Sequence, residues 1–456
     1  MFLNCHSFYS LKYGTLSIKK LLKNAVDQGC SSFALTDINN TSGCLEIMSE
    51  APKYGIRPVL GIDFRNTCQQ VYIGLARNEA GFANLNRFLS AHLHSKEDFP
   101  DRAPALEDVF FIYPFPLKKQ TENTRPDTQD THSISTKAGS SGPSDTGFLY
   151  KLSDNEFIGV TYEQLNQLRF SAFMSKPEKL VALQPVTFQT RKDYNAHRLM
   201  RAMDLNTLLS KLGENDAACP DEYMLSGNGM ESYFKNALFL LQNAAALINA
   251  CSITFEFKTG KNKICFYDTL EEDARVLKEK ALEGALFRYK TLNKTITDRI
   301  EKELDLIIKK NFVSYFLINW DIVRYARSQG FFYVGRGSGA NSIIAYCLRI
   351  TDVDPLDLDL YFERFINLYR ENAPDFDIDF SWKDRDSIIA YVFNKYGTDH
   401  TSLLATYNTF QVNSVMRELG KVFGLQAEGG DGSSELVRCI GDEAPLPIHQ
   451  RFHSLQ

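Results

Sequence analysis

Tyr333-Val334-Gly335-Arg336-Gly337-Ser338-Gly339-Ala340-Asn341-Ser342 and Pro374-Asp375-Phe376-Asp377-Ile378-Asp379-Phe380 frame the stretch on which the reading of this chain turns. In the second run, acidic and apolar residues alternate over six positions, the period of a strand with one buried face. Phe376, Ile378 and Phe380 face a core, and Asp375, Asp377 and Asp379 line the other side. Side chains two apart on a strand lie ~6–7 Å apart, where two bare carboxylates repel by about 2–3 kcal/mol at an effective dielectric near 20. Aspartate is a poor strand former, so three of them ask for a reason. An amphipathic strand with a solvated acidic face is one reading. A divalent cation is the other: Mg²⁺ takes one or two carboxylates plus phosphate oxygens. Two such ions about 4 Å apart hold the attacking and leaving oxygens of a phosphoryl displacement.

The first run alternates Gly335, Gly337 and Gly339 with Arg336 and Ser338. Glycine permits positive φ and close backbone approach. A helix is expected over 341–349, so the loop points backbone N–H groups at an anion, and Arg336 adds a forked donor suited to phosphate. The run is neither a Walker A loop nor the dinucleotide fingerprint. By itself it also fits a flexible turn. Paired with the aspartate strand some forty residues on, it is more specific.

Four runs occur in order: Gly335-Arg336-Gly337-Ser338-Gly339-Ala340, Ile350-Thr351-Asp352-Val353-Asp354-Pro355, Phe362-Glu363-Arg364-Phe365 and the aspartate strand. Together they resemble the bacterial replicative DNA polymerase III alpha subunits, the C-family DNA polymerases. The resemblance implies a palm built like that of polymerase-beta-type nucleotidyltransferases. It implies that Asp375 and Asp377 are catalytic ligands of Mg²⁺, with no ligand role carried onto Asp379. Gly335, Arg336, Gly337, Ser338 and Arg364 fall to the incoming nucleotide's phosphates. Asp321, within a helix expected over 312–327, supports the site without binding metal.

At 456 residues the chain has room for about three domains, and its net charge of −5 leaves nucleic acid to local patches. Nine scattered cysteines without a Cys-x-x-Cys pair fit reduced thiols in a cytoplasmic protein. The N-terminus lacks the features of a signal peptide. The longest apolar stretch, 237–251, is broken by Gln242, Asn243 and Asn249, so no membrane span is expected.

Residues 1–66 alternate strand and helix signals, which argues a parallel α/β layer or barrel. Ligand groups then belong at the C-terminal strand ends, where Asn4, His6, Asp37 and Asp63 fall. Cys5-His6-Ser7, Ala34-Leu35-Thr36-Asp37 and Pro58-Val59-Leu60-Gly61-Ile62-Asp63-Phe64 are similar to a polymerase-and-histidinol-phosphatase (PHP) domain, which opens the same polymerase family. Active members bind up to three metals through histidines and carboxylates. This chain departs from that pattern. Asn4 stands for a histidine, Ile38 follows Asp37 where a histidine is usual, Asp63 replaces a glutamate, and Leu183-Gln184-Pro185-Val186-Thr187 replaces an Asn-Asp-Val-His type segment. Zinc and manganese sites need three or four protein ligands, and only His6, Asp37 and Asp63 remain. A degenerate site without PHP metals, supporting the polymerase core, is expected.

The polar stretch 119–147, which includes His132, reads as a mobile loop. Helices are expected over 193–209, 230–251, 269–289, 296–310, 384–395 and 410–423, and a strand over 403–405. Arg299, Lys302 and Lys309 read as solvated charge. Arg417 and Lys421, four apart on one helix face, begin the family's thumb and become DNA phosphate contacts.

The fold expected is thus α/β and α+β multidomain: a PHP-type (β/α) barrel over 1–212, a palm with N-terminal helices over 213–405, and the start of a helical thumb over 406–456. The resemblance implies a DNA-directed DNA polymerase that adds dNTPs to a primer 3′-hydroxyl in chromosomal replication. Its partners are primer-template DNA and, in the complete protein, a sliding clamp and other replisome subunits. The family uses a third aspartate on a later palm strand. Asp431, in a Gly-rich loop over 426–434, and Asp442 lack that setting, so the chain is expected to be an N-terminal part, inactive alone. The rival from another class is a PHP-type metal-dependent phosphoesterase or 3′-5′ exonuclease. It requires tightly bound zinc or manganese near His6, Asp37 and Asp63.

Overall fold

Short runs of aromatic and branched residues alternate with amphipathic helices through the first 190 residues, and the strands gather into one sheet. The computed structural model describes residues 1–115, 152–257 and 262–424. The loop expected over 119–147, with His132, lies outside them, as do the segment 426–434, Asp431 and Asp442. The chain divides into two compact units, Met1–Phe257 with the segment from Thr409, and Lys258–Asn408.

In the first unit, β1 (Asn4–Cys5) is followed by α1 (Ile18–Asp27), β2 (Ser32–Leu35), α2 (Gly43–Glu50), β3 (Arg57–Asn66), β4 (Gln69–Ala76) and α3 (Glu79–Ser95). Then come β5 (Val109–Pro114), β6 (Glu156–Val160), β7 (Leu180–Ala182) and β8 (Pro185–Val186). The sheet order is β7-β6-β5-β4-β3-β2-β1-β8. All pairings are parallel except those of β4, which runs antiparallel to both β3 and β5. Its two edge strands, β7 and β8, are consecutive in the chain and joined only by Leu183 and Gln184. Three Cα–Cα steps reach at most about 11 Å, so the eight strands must curl until the edges nearly meet.

Local chemistry sets the helices. Ser17 caps α1, its hydroxyl accepting from Lys20 N–H, the bond that satisfies an orphan helix donor. Ile18, Leu21, Leu22 and Ala25 are buried on α1, whereas Val26 is exposed. The helix expected over 230–251 is two: α5 (Gly227–Tyr233) and α6 (Leu238–Asn249), which follow α4 (Tyr194–Asp204). The break between α5 and α6 lets Met230 and Phe234 on one side and Leu240, Ala244 and Ile248 on the other reach the same core.

The boundaries expected at 212/213 and 405/406 do not coincide with the compact units. Helix α6 packs on β7, and Asn243 Nδ2 donates to the carbonyls of Pro177 and Leu180, which ties this helix to the first unit.

The second unit contains α7 (Leu270–Tyr289), α8 (Lys294–Lys309), α9 (Val313–Ser328), β9 (Tyr333–Arg336), α10 (Ile343–Cys347), β10 (Asp377–Phe380) and α11 (Arg385–Tyr396). Its core gathers Leu277, Ile300, Leu304, Phe316, Leu317, Ile344 and Phe365. Strands β9 and β10 form an antiparallel pair with Asp377 opposite Arg336 and Asp379 opposite Val334. The strand expected over 403–405 does not form: Leu403 and Leu404 are exposed and in no ladder among the described residues. Two apolar residues without a partner strand gain nothing from extended pairing.

The chain returns to the first unit in α12 (Val412–Phe423). Met416 and Leu419 on α12 bury against Leu199 and Met203 of α4. The helix expected to begin a separate thumb therefore packs within the first unit. Among the described residues no helix is long and apolar enough to cross a membrane.

Candidate active site

The alternation read from the sequence is present from Asp375 to Phe380: acids are exposed and apolar residues half-buried. The ladder covers only the last four of those residues, so Asp375 stands just before it. Phe376 anchors the approach, its ring 5.1 Å from that of Phe316 and 5.0 Å from that of Phe365.

Gly337 turns the chain beside Asp377. Its φ is +76°, and a Cβ there would lie 2.5 Å from Asp377 Oδ2. A side chain is excluded twice, by backbone conformation and by the carboxylate. Gly339 is seated on the Phe376 ring, and Gly335 is buried with its carbonyl accepting from Thr351 Oγ1 at 3.0 Å. The glycine run and the aspartate strand are thus one local structure. Ser338 lies in the 3-10 turn after Gly337, its carbonyl accepting from Asn341 Nδ2. Arg364 is exposed on the turn Phe362–Arg364, which packs against that glycine turn.

Each aspartate is paired. Arg336 Nε donates to Asp379 Oδ2 at 2.7 Å, and its Nη1 lies 3.4 Å from Asp377 Oδ2. The Asp379 hydrogen bond and the charge of Asp377 raise the Arg336 pKa above its ordinary value. Arg370 Nη2 lies 3.2 Å from Asp375 Oδ1. All three carboxylates stay exposed, Asp377 by 46% and Asp375 by 85%, so none is consumed by burial.

The helix after the glycine run differs from expectation. Only Ile343–Cys347 is α-helical, and its N-terminus already holds an anion. Glu303 of α8, fully buried, accepts from Ser342 Oγ at 2.7 Å, Ile343 N–H at 3.2 Å and Ile344 N–H at 3.3 Å. Burial pushes its carboxyl pKa up, against the opposing pull of Arg299 and Ser342. This helix end therefore offers its N–H groups to a protein carboxylate, and phosphate would have to meet the glycine turn itself. Arg299 is not solvated charge: it donates to Glu303 Oε1 at 2.7 Å and to the carbonyls of Asn341 and Leu360. Lys302 pairs with Glu363 and Lys309 with Asp305.

Asp321, expected as a support, holds two helices together. Fully buried on α9, it accepts from Lys395 Nζ at 2.6 Å, Tyr391 OH at 2.8 Å, Arg324 Nη2 at 2.9 Å and Tyr396 OH at 3.0 Å. Burial works to raise its pKa, but these donors hold it below the usual value. It welds α9 to α11, where Tyr325 and Tyr391 stack at 3.8 Å.

In the first unit, His6 and Asp63 meet: Nε2 lies 2.9 Å from Asp63 Oδ2. The other ring nitrogen faces Thr187 Oγ1 at 3.0 Å, and Thr187 donates on to Glu222 at 2.5 Å. Arg65 fills the remaining side of Asp63 Oδ2 with Nε at 3.0 Å and Nη2 at 2.8 Å. Burial pushes Asp63 up, but the Arg65 guanidinium and the His6 hydrogen bond outweigh it and hold the carboxyl down to about 2. Asp37 is turned elsewhere, accepting from Ser7 N–H, Ser7 Oγ and Ser10 Oγ, each at 2.7 Å. Burial still raises its pKa despite those bonds.

These residues do not fit a metal centre. Both nitrogens of His6 already face protein oxygens, and a guanidinium sits on the carboxylate oxygen a cation would use. Asp63 Oδ1 has no partner among the described residues, yet one oxygen is not the donor set of three or four that zinc requires. Arg65, Thr187 and Glu222 were missed from sequence. Arg65 has one local signal, its place two residues after Asp63 on the same strand face.

Residues 3–113 match the PHP domain family, and residues 275–452 match the family described as bacterial DNA polymerase III alpha NTPase domain. The chain carries both domains. Its relatives include the error-prone DNA polymerase of Symbiobacterium thermophilum, 29% identical over 100% of this chain and 44% of that protein. The DNA polymerase III subunit alpha of Borreliella burgdorferi is 30% identical over 98% of this chain and 40% of its own length. That of Escherichia coli K12 is 28% identical over 95% and 39%. The chain thus spans about two-fifths of the length of these polymerase relatives. The PHP match takes in β1 to β4, most of β5 and the contacts among His6, Asp63 and Arg65, and the polymerase match takes in the glycine turn and the aspartates.

Proposed function

We propose that this chain carries the metal- and triphosphate-binding elements of a DNA-directed DNA polymerase. The reaction is attack of a primer 3′-hydroxyl on the α-phosphate of a dNTP, with pyrophosphate leaving. Asp375 and Asp377 would hold Mg²⁺, which supplies a Lewis acid for the reacting oxygens when bound. Gly335, Gly337 and Ser338 let the backbone approach the phosphates, and Arg336 and Arg364 carry the positive charge for them. Arg370 orients Asp375, and the Asp321 cluster stiffens the helices beneath. Arg417 and Lys421, exposed on α12 and each paired with Glu418, are proposed to touch DNA phosphates. Primer-template DNA is the proposed partner, with a sliding clamp and replisome subunits in the complete protein.

The observation that carries this reading is the contact of the Gly337 turn with the Asp377 carboxylate, which puts phosphate-binding backbone and a metal ligand side by side. The matching family and the relatives' names support it. For the first unit we propose a structural role rather than hydrolysis, since His6 and Asp63 are spent on Thr187 and Arg65.

The test is Mn²⁺ binding by the purified chain, read from the paramagnetic resonance of the free ion. Binding that is lost in Asp377→Asn and unaffected in His6→Gln supports the reading. Binding that survives Asp377→Asn and vanishes in His6→Gln replaces it with a PHP phosphoesterase.

A further inference from the structure

Two arginines reach the aspartates, and they are held differently. Arg370 is fixed: Nη1 donates to Phe365 O at 2.8 Å, Nε to Asn372 O at 3.0 Å and Nη2 to Ala373 O at 3.3 Å, and only Nη2 also reaches Asp375. Arg336 is exposed, and its guanidinium contacts are the two carboxylates of β10. It lies inside the glycine run, directly opposite Asp377 in the ladder. Gly337 follows it at positive φ with no side chain in the way.

Arg336 therefore has two classes of anionic partner within reach of side-chain rotation alone. One is the pair of aspartates. The other is the phosphate of a nucleotide bound at the turn it belongs to. The two compete: a cation at Asp377 repels the guanidinium beside it, and a phosphate at the turn attracts it.

We propose that Arg336 is an exchange residue: without nucleotide it neutralises Asp377 and Asp379, and with nucleotide and metal it releases Asp377 and turns to the triphosphate. This rests on the polymerase reading above and deepens it. It gives Asp379 a task that metal ligation does not, as the resting dock of the guanidinium through the shorter contact. It also accounts for how Asp377 and Asp379 tolerate each other on an exposed strand before any metal is present. Exposed ion pairs are weak, so the release is easily driven by a cation and a polyphosphate arriving together. The exchange makes metal and nucleotide binding cooperative, since each removes the competitor of the other.

The proposal predicts opposite changes from one substitution. In Arg336→Gln, Mn²⁺ alone should bind about threefold tighter, the scale set by losing weak exposed competition. At saturating Mn²⁺, dATP measured by equilibrium dialysis should bind about tenfold weaker or more, the scale of one charge-assisted hydrogen bond. Because Arg336 is exposed and tied to no core residue, the variant keeps the fold. If Mn²⁺ affinity is unchanged or falls, or dATP affinity is unchanged or rises, the exchange is overturned. Asp377→Asn separates the two levels. Mn²⁺ binding lost there while Arg336→Gln has no effect sinks the exchange alone, whereas Mn²⁺ binding retained in Asp377→Asn sinks the site as well.

Discussion

Glu303 Oε2 accepts the hydroxyl hydrogen of Ser342 at 2.7 Å, thirty-nine residues along the chain and with no water-exposed surface on either side chain. This bond plugs the N-terminus of α10 with a carboxylate. It also fixes the end of the glycine turn from below, since Arg299 links the same carboxylate to Asn341 O. Glu303→Ala should strand Arg299 beside three orphan donors and cost about 3–5 kcal/mol, the range for breaking a buried pair from one side. Glu303→Gln, which keeps an acceptor, should cost less. Urea unfolding followed by the fluorescence of the two tryptophans, Trp320 and Trp382, checks both.

Gly337→Ala tests the contact between turn and carboxylate. The added methyl meets Asp377 Oδ2, and the φ of +76° is strained for any L side chain. The expected result is a stability loss of about 1–2 kcal/mol and at least severalfold weaker Mn²⁺ binding. Gly330→Ala is the control: it shares a positive φ of +72° but has open space around its Cβ. It should lose stability and leave Mn²⁺ binding intact.

Arg65 should behave as a structural cation. Arg65→Met leaves the Asp63 carboxylate buried without its guanidinium, and stability should fall by about 3–5 kcal/mol. Arg65→Met combined with Asp63→Asn should recover a substantial part of that loss, because the unpaired charge is gone. A urea titration of the three proteins decides. Additive losses in the double variant would show that the pair is not coupled.

Acid sensitivity is expected from His197. Its Nδ1 donates to Tyr13 O at 2.8 Å and its Nε2 accepts from Ala218 N–H at 2.8 Å, so the neutral tautomer is set on both sides. Burial lowers its pKa from 6.5 to about 4, with the charges of Arg201, His6 and Arg65 adding to the effect and the Tyr13 bond opposing it. Below pH 6.5 the unfolded chain takes up a proton there that the folded chain refuses. Stability is therefore complete above pH 6.5 and declines as pH falls toward 4. The decline should amount to about 2 kcal/mol by pH 5. Melting curves across pH 5–7 should show it, and His197→Gln should flatten it.

The residues of the candidate site were legible to different degrees. Asp375, Asp377 and the three glycines stood out because alternation and glycine content are local properties, and the pairing of β9 with β10 brought them together. Asp321 was singled out only through the family resemblance, and its partners on α11 were not foreseen. Glu303 was not, since a glutamate at 303 on an amphipathic helix looks like its solvated neighbours. Arg299 was misread for the same reason. His6 and Asp37 lie just past the ends of β1 and β2, as expected, whereas Asp63 sits inside β3, which runs on to Asn66; the direction each side chain faces was beyond the strand pattern: Asp37 answers to Ser7 and Ser10, and Asp63 to Arg65. The helix over 230–251 is split into two, and apolar residues of both pieces reach one core.

Period, glycine placement and capping residues act over a few neighbours, so the sequence by itself determined that this chain builds a strand–helix sheet, an acidic strand and a glycine turn. Which charges are buried, and against what, was decided only by the tertiary structure. A carboxylate leaves water only when a partner arrives from elsewhere in the fold, as His6 does for Asp63 and Ser342 does for Glu303. That desolvation is outweighed by geometry that no window of sequence contains.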